Sequence, residues 1–264
     1  MPRLNLKSET VKRKFQSPAW KTVWPDFLAF ALGLAVAWLF NWKTTDLVWS
    51  LWLGSLTLGY LTILSFIGAG IYVGVYVISR PEFPARKRLP VVLAGIAGVL
   101  FLLGFFSLHF GAFHACHAGF LSVFFPLDGV KPVTFFDCFI NPPRLLATAF
   151  RHVAPLYGAF LLPAIIAERA HVFATLGIAI RAVHENQAGR QWTEWLAPGP
   201  ARQMRLRDPF TRPYLNVIRM HLLIFFFGAC HVLHLESFLI YAAVYAVYFF
   251  PWNAFFPRPA NAPA

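Results

Sequence analysis

Two pairs of histidines have the spacing of metal ligands. His114 and His117 lie in "HACH", and His231 and His234 lie in "CHVLH". Residues three apart on a helix share one face and are separated by about 4.5 Å along the axis, so each pair is able to hold one metal ion. Neutral imidazoles suit zinc, copper or nickel, and a nearby thiolate shifts the preference toward Cu(I) or zinc. The spacing therefore predicts a transition-metal site (Cu or Zn) with these four histidines as ligands.

The same pairs also fit a structural role, and this alternative stays open. Histidines at a membrane interface are tolerated because the ring can reach water and headgroups. A buried histidine can instead hydrogen-bond a neighbouring helix. The HxxH spacing also arises by chance in a chain that contains nine histidines.

Three further histidines lie in the apolar segments themselves. His171 and His221 fall at similar depths in two opposed predicted helices, which is the arrangement that holds a haem b between axial imidazoles. His109 is eight residues from His117, about 12 Å along a helix, so the two cannot bind one metal ion but can line one path for protons or electrons. We therefore predict a cofactor site at His171, His221 and His109, with helix-to-helix hydrogen bonding as the alternative.

The composition places these histidines in a membrane. The 264-residue chain is 58% hydrophobic and only 13% charged, which excludes the soluble globular and disordered classes. Apolar runs of about 20 residues match helices that cross about 30 Å of hydrocarbon. We predict an all-α, polytopic integral membrane helical bundle whose main partner is the lipid bilayer.

The apolar runs predict about six transmembrane helices. They lie at residues 24–42, 47–78, 89–112, 150–178, 214–232 and 237–252. The second run exceeds the length of one span, so it is either one strongly tilted helix or two helices broken near Gly70 and Gly74. The spans define a transmembrane domain at residues 23–252, between a basic segment at 1–22 and a tail at 253–264.

The basic residues act as topology signals. The formal net charge is +12, and Lys and Arg concentrate in the N-terminal segment, in "SRPEFPARKR" and between residues 181 and 212. The positive-inside rule then places the N- and C-termini in the cytoplasm, in a multi-pass protein of the bacterial inner membrane. This use of the charge predicts no nucleic-acid partner. The connection at residues 121–144 mixes aromatics with Pro and Gly, which predicts an ordered loop at the opposite interface.

Three functions fit these observations. The first is a histidine-based metal or haem protein in electron transfer or metal handling. The second is a non-catalytic accessory subunit of a larger membrane complex or a homo-oligomer, since aromatic and small residues serve helix packing. The third is a small-solute or proton transporter gated by Glu168, Arg169 and His171. The sequence has no Walker loop, GxSxG or HExxH motif, which argues against a hydrolytic or phosphoryl-transfer enzyme and leaves other activities open.

Three stretches of this sequence also follow patterns known from one protein family. "HFGAFHACHAGF" contains a His-aromatic-Gly-x-Phe-x-x-x-His pattern, "PYLNVIRMH" a second pattern and "AHVFATLGI" a third. They resemble a family of bacterial and archaeal polytopic membrane proteins with a domain of unknown function. The resemblance implies a buried histidine set at His109, His117, His171 and His221, and it implies no activity. Asn216 stands where the second pattern has an arginine, and "LWLGSLTLGYL" lacks that family's acidic residue.

Overall fold

The computed structural model describes residues 20–187 and 237–251, with residues 222, 225–230, 232, 233 and 235 between them. Within these ranges the chain is helical and no strand occurs, so the all-α prediction is confirmed. Residues 225–230 are helical as well. The labelled helices are α1 (Trp20–Leu39), α2 (Thr44–Ile78), α3 (Ala85–Phe124), α4 (Pro132–Phe136), α5 (Pro142–Thr148), α6 (Ala154–Tyr157), α7 (Leu161–Val172), α8 (Ala174–Gln187) and α9 (Phe238–Phe249).

Three helical segments are long and apolar enough to cross a membrane. They are Thr44–Ile78, Ala85–Phe124 and Pro142–Val172. Two shorter apolar helices cover Val23–Leu39 and Phe238–Val247. The chain is thus a helical membrane protein by length and composition, in agreement with the predicted contact with lipid. Most of the predicted span at residues 214–232 lies outside the described residues.

The second predicted run is one helix, α2, and it forms the centre of the fold. Its first half is buried nearly all round from Leu47 to Gly59. A helix that is apolar on every side needs neighbours on every side, and α2 packs against α3, α7 and α8. At its first turn, the Asp46 carboxylate accepts a hydrogen bond from the backbone N–H of Lys43 at 2.7 Å, which satisfies one free donor of the helix start.

The helix α3 is longer than its apolar run predicted. The run ended near residue 112, whereas the helix continues through both histidines of "HACH" to Phe124. The apolar criterion stops there because it counts imidazoles as polar. In the structure Ala115, Ala118 and Leu121 are fully buried on this part of α3, so packing extends the helix through the polar residues.

The connection after α3 folds back onto the bundle. Phe135 in α4 and the following Cys138 are fully buried, and the Phe135 ring lies 5.6 Å from the ring of Trp49 in α2. The segment is therefore ordered, as its aromatic residues predicted.

The fourth predicted span, residues 150–178, differs from the observed helices. The apolar segment begins at Pro142, passes through a π-helical turn (Ala149–Val153) and a 3-10 turn (Gly158–Phe160), and ends at Val172. Pro155 lies between these two turns and has no N–H to donate, which breaks the regular helical hydrogen bonding. His171 consequently lies at the end of α7 and not in the middle of a span.

Candidate functional site

His114 is the fully buried centre of the polar contacts between α2 and α3. Its Nδ1 lies 3.1 Å from the carbonyl oxygen of Phe110, and its Nε2 lies 3.3 Å from Oγ of Ser55. The neutral tautomer with its proton on Nδ1 donates to the carbonyl and accepts from the serine hydroxyl. Both ring nitrogens are thereby satisfied without a metal, so His114 fits the structural role that the sequence left open.

Aromatic side chains enclose this contact. Indole Nε1 of Trp52 donates to the carbonyl oxygen of His114 at 3.0 Å, and the Phe110 ring centroid lies 4.2 Å from the imidazole centroid. Gly59 leaves the space for Phe110, because a Cβ at position 59 would stand 2.2 Å from a ring carbon. The approach of α2 and α3 at Gly59 therefore fixes where the imidazole lies.

His117 lies beside His114 on the buried side of α3. The two ring centroids are 6.4 Å apart and the rings are nearly perpendicular, at 87°. A metal ion bound to His114 would have to replace its contact with either Phe110 or Ser55. Among the residues that the structure describes, no group of three or more His, Cys, Asp or Glu side chains is arranged to hold a metal ion. His231 and His234, the other two predicted ligands, lie outside the described residues.

Of the residues predicted for a haem or other cofactor, the two that the structure describes are exposed. His109 is exposed on α3, where its ring stacks on Phe105 at 5.7 Å and meets the edge of Phe113 at 5.2 Å. His171 is exposed in the last turn of α7. The axial partner predicted for His171 is His221, which lies outside the described residues.

Arg169 forms an ion pair that the sequence did not indicate. Arg169 of α7 pairs with Asp26 of α1, with 2.6 Å between guanidinium nitrogen and carboxylate oxygen. The sequence marked Arg169 as a charge inside a span but left its partner open. The available signal was the scarcity of acidic residues, because a chain with only eleven Asp and Glu offers few partners for Arg169. The pair joins two helices, which is the structural role of an ion pair in a bundle.

A second polar group joins the start of α2 to distant parts of the chain. The Tyr157 hydroxyl donates to the Asp46 carboxylate at 3.0 Å. The backbone N–H of Ser237 donates to the Thr44 hydroxyl at 3.3 Å. Neither contact was predicted, because the sequence does not reveal which helix ends meet. Ser55 was missed because the sequence does not reveal which helix faces pack together.

Comparisons with known proteins give one match. The sequence pattern of a family of unknown function, DUF6498, covers residues 12–250. No curated protein and no solved structure matches the chain. Because the match extends over nearly the whole sequence, the chain belongs to the family of unknown function DUF6498.

Proposed function

We propose that the protein is a non-catalytic accessory subunit of a larger membrane complex. The observation that carries this proposal is the length of exposed apolar surface on α3. Large apolar side chains are exposed along this helix from Leu89 to Phe124. Only 6% of its most apolar 18-residue stretch is buried, against 22% in α2 and 33% in the Pro142–Val172 segment.

This surface is longer than the hydrocarbon layer of a bilayer. Leu89 and Phe124 are separated by about 52 Å along the helix axis at 1.5 Å per residue. The hydrocarbon layer is about 30 Å thick, and a tilt of about 40°, the upper end of the usual range, still leaves a projection of about 40 Å. About 10 Å of apolar helix surface therefore extends beyond the hydrocarbon layer, to the depth of the headgroups.

The surplus lies at the end of α3 that carries Phe124. The other end begins with Arg86, Lys87 and Arg88, whose charges hold it at the headgroups. Near Phe124, the helix and the following connection expose a set of large apolar side chains that we call the apolar cap. Its members are Phe120, Phe124, Phe136, Phe139 and Ile140.

The side chains of the apolar cap pack against one another and against α3. The rings of Phe120 and Phe136 meet at 6.0 Å, and Phe136 rests on Gly119, where a Cβ would stand 2.6 Å from the ring. Exposed apolar clusters of this kind mark sites of protein or membrane contact, and aromatic side chains are enriched at protein interfaces. A partner membrane subunit that covers the cap removes this apolar surface from contact with headgroups and water.

Site-specific photo-cross-linking tests the proposal in the native membrane. A benzophenone amino acid at Phe120 or Ile140 is expected to give discrete adducts with one partner protein. The same probe at Phe101, which is exposed on the part of α3 nearer its basic end, is expected to react with lipid. Protein adducts at the cap that are no more abundant than those at position 101 would contradict the proposal.

A second candidate function rests on the buried pair His114 and His117. We propose a metal site (Cu or Zn), or a haem site, that these residues share with histidines outside the described ranges, in electron transfer or metal handling. The adjacency of the two rings at 6.4 Å supports this proposal. Elemental analysis and an absorption spectrum of the protein isolated from its native membrane provide the test. Stoichiometric metal or a Soret band should be lost in His117→Ala and kept in His184→Ala, and colourless, metal-free wild-type protein would reject it.

We further propose that the chain crosses the bacterial inner membrane six times with both termini in the cytoplasm. The distribution of Lys and Arg supports this topology. In it, the two shorter apolar helices join the three long ones, and the apolar run at residues 214–232 is the sixth span. Reporter fusions at each end test it. A fluorescent protein should fold and an alkaline phosphatase should stay inactive at both termini, and the opposite result at either terminus would overturn the six-span topology.

A further inference from the structure

The turn between α2 and α3 is strongly basic. Arg80, Arg86, Lys87 and Arg88 lie within nine positions, with Glu82 as the one acidic residue among them. The turn joins two candidate membrane spans, so it lies where the hydrocarbon meets the headgroups. Four basic side chains directly beside a membrane helix are the kind of cluster that attracts anionic lipids.

Within this turn, Arg80 is held in one orientation. Its guanidinium carbon lies 4.8 Å from the centre of the Tyr76 ring, and the guanidinium donates to the Tyr76 hydroxyl. Its Nε is covered and has no hydrogen-bond acceptor among the described residues. A planar guanidinium that is already fixed loses little further freedom when it binds an oxyanion.

Arg88 brings a second guanidinium to the backbone of Arg80. Its Nη2 lies 3.5 Å from the carbonyl oxygen of Arg80, so the side chain reaches back across the turn. Neither arginine forms an ion pair within the described part of the chain. The N-terminal end of a helix carries a partial positive charge. The first turn of α3 contains no acidic residue that would offset it.

We propose that Arg80 and Arg88 bind the phosphate group of an anionic phospholipid. Guanidinium groups recognise phosphate oxygens through charge-assisted hydrogen bonds, and the turn stands at the depth of the lipid phosphates. Inorganic phosphate carries the same chemistry without the acyl chains. A phospholipid binds more favourably than inorganic phosphate, because its acyl chains contact the apolar ends of α2 and α3 beside the turn.

Native mass spectrometry of the full-length protein, titrated with phosphatidylglycerol in detergent, measures the binding. The double variant Arg80→Gln/Arg88→Gln is expected to lower the affinity about tenfold or more, because it removes both guanidinium groups. The matched control Arg86→Gln/Lys87→Gln removes the same charge from the same turn and is expected to lower the affinity clearly less, because these two side chains contribute only general charge attraction. An equal loss in the two variants would show diffuse attraction and overturn the proposed pair.

Two further measurements separate the sources of phosphate and protect against a folding defect. Inorganic phosphate in large excess is expected to leave the bound lipid in place, and its displacement of phosphatidylglycerol would overturn the lipid assignment. The variant Arg80→Lys keeps the charge but loses the planar fork, so it is expected to lose most of the affinity with unchanged helicity by circular dichroism. Full affinity in this variant would also contradict the proposal.

Discussion

Gly59→Ala tests the close approach of α2 and α3 that sets the position of His114. The new methyl group would stand 2.2 and 2.5 Å from two carbons of the Phe110 ring. That ring is fully buried and is stacked on Phe106 at 4.7 Å, so it has no open space into which it can move. The helices must therefore separate or the ring must leave its preferred rotamer.

The size of the effect follows from two opposing contributions. Inserting a methyl group into a packed core costs about 1–3 kcal/mol, whereas replacing glycine by alanine inside a helix contributes up to about 1 kcal/mol of stabilisation. Gly70→Ala on the same helix gains the second contribution alone, because nothing lies within 4 Å of its new methyl group. We expect Gly59→Ala to be less stable than Gly70→Ala by about 1–3 kcal/mol of unfolding free energy.

Unfolding by sodium dodecyl sulfate in mixed micelles, followed by tryptophan fluorescence, measures this difference. The buried Trp49 and Trp52 beside the histidine report on the same region. Equal midpoints for Gly59→Ala and Gly70→Ala would refute the close approach. Should Gly59→Ala fail to fold, adding Phe110→Leu should restore folding, because the shorter side chain makes room for the methyl group and couples the two positions.

Two hydrogen bonds give further predictions in the same assay. Ser55→Ala leaves Nε2 of His114 without its donor and is expected to cost about 1–3 kcal/mol, while the control Ser50→Ala, whose hydroxyl bonds only to its own helix, should change the midpoint little. Tyr157→Phe removes the hydrogen bond to the Asp46 carboxylate and is expected to cost about 1.5–3 kcal/mol. An unchanged midpoint in either variant would mean that the hydrogen bond contributes nothing to stability.

The positions of the long helices could be predicted from the sequence, because a helix surrounded by lipid or protein needs a long apolar run. Thr44–Ile78 and Ala85–Phe124 both contain the runs expected of them. The boundaries were less predictable, because tertiary contacts decide them. The extension of α3 past residue 112 depends on packing that no local pattern displays, and the broken helix from Pro142 to Val172 depends on how proline and a π-helical turn are accommodated.

The histidine contacts were predictable only within one helix. The three-residue spacing of His114 and His117 is enough to place them on neighbouring positions of one face. It does not reveal that Ser55, which lies in an otherwise apolar stretch of α2, supplies the donor for Nε2. Whether His114 has a protein donor at Nε2 depends on the packing of two helices, so the spacing alone could not indicate it.

The unbroken length of α3 ties the two membrane surfaces together. Its only proline is Pro90, and the helix then continues to Phe124 without another. Arg88 and His114 are 26 positions apart, about 39 Å along a rigid rod, which exceeds a hydrocarbon layer of about 30 Å when the rod stands upright and equals it at a tilt of about 40°. A thicker bilayer draws the rod upright and a thinner one inclines it. Membrane thickness thus sets the angle at which α3 crosses the bilayer, while the imidazoles stay near the far headgroups.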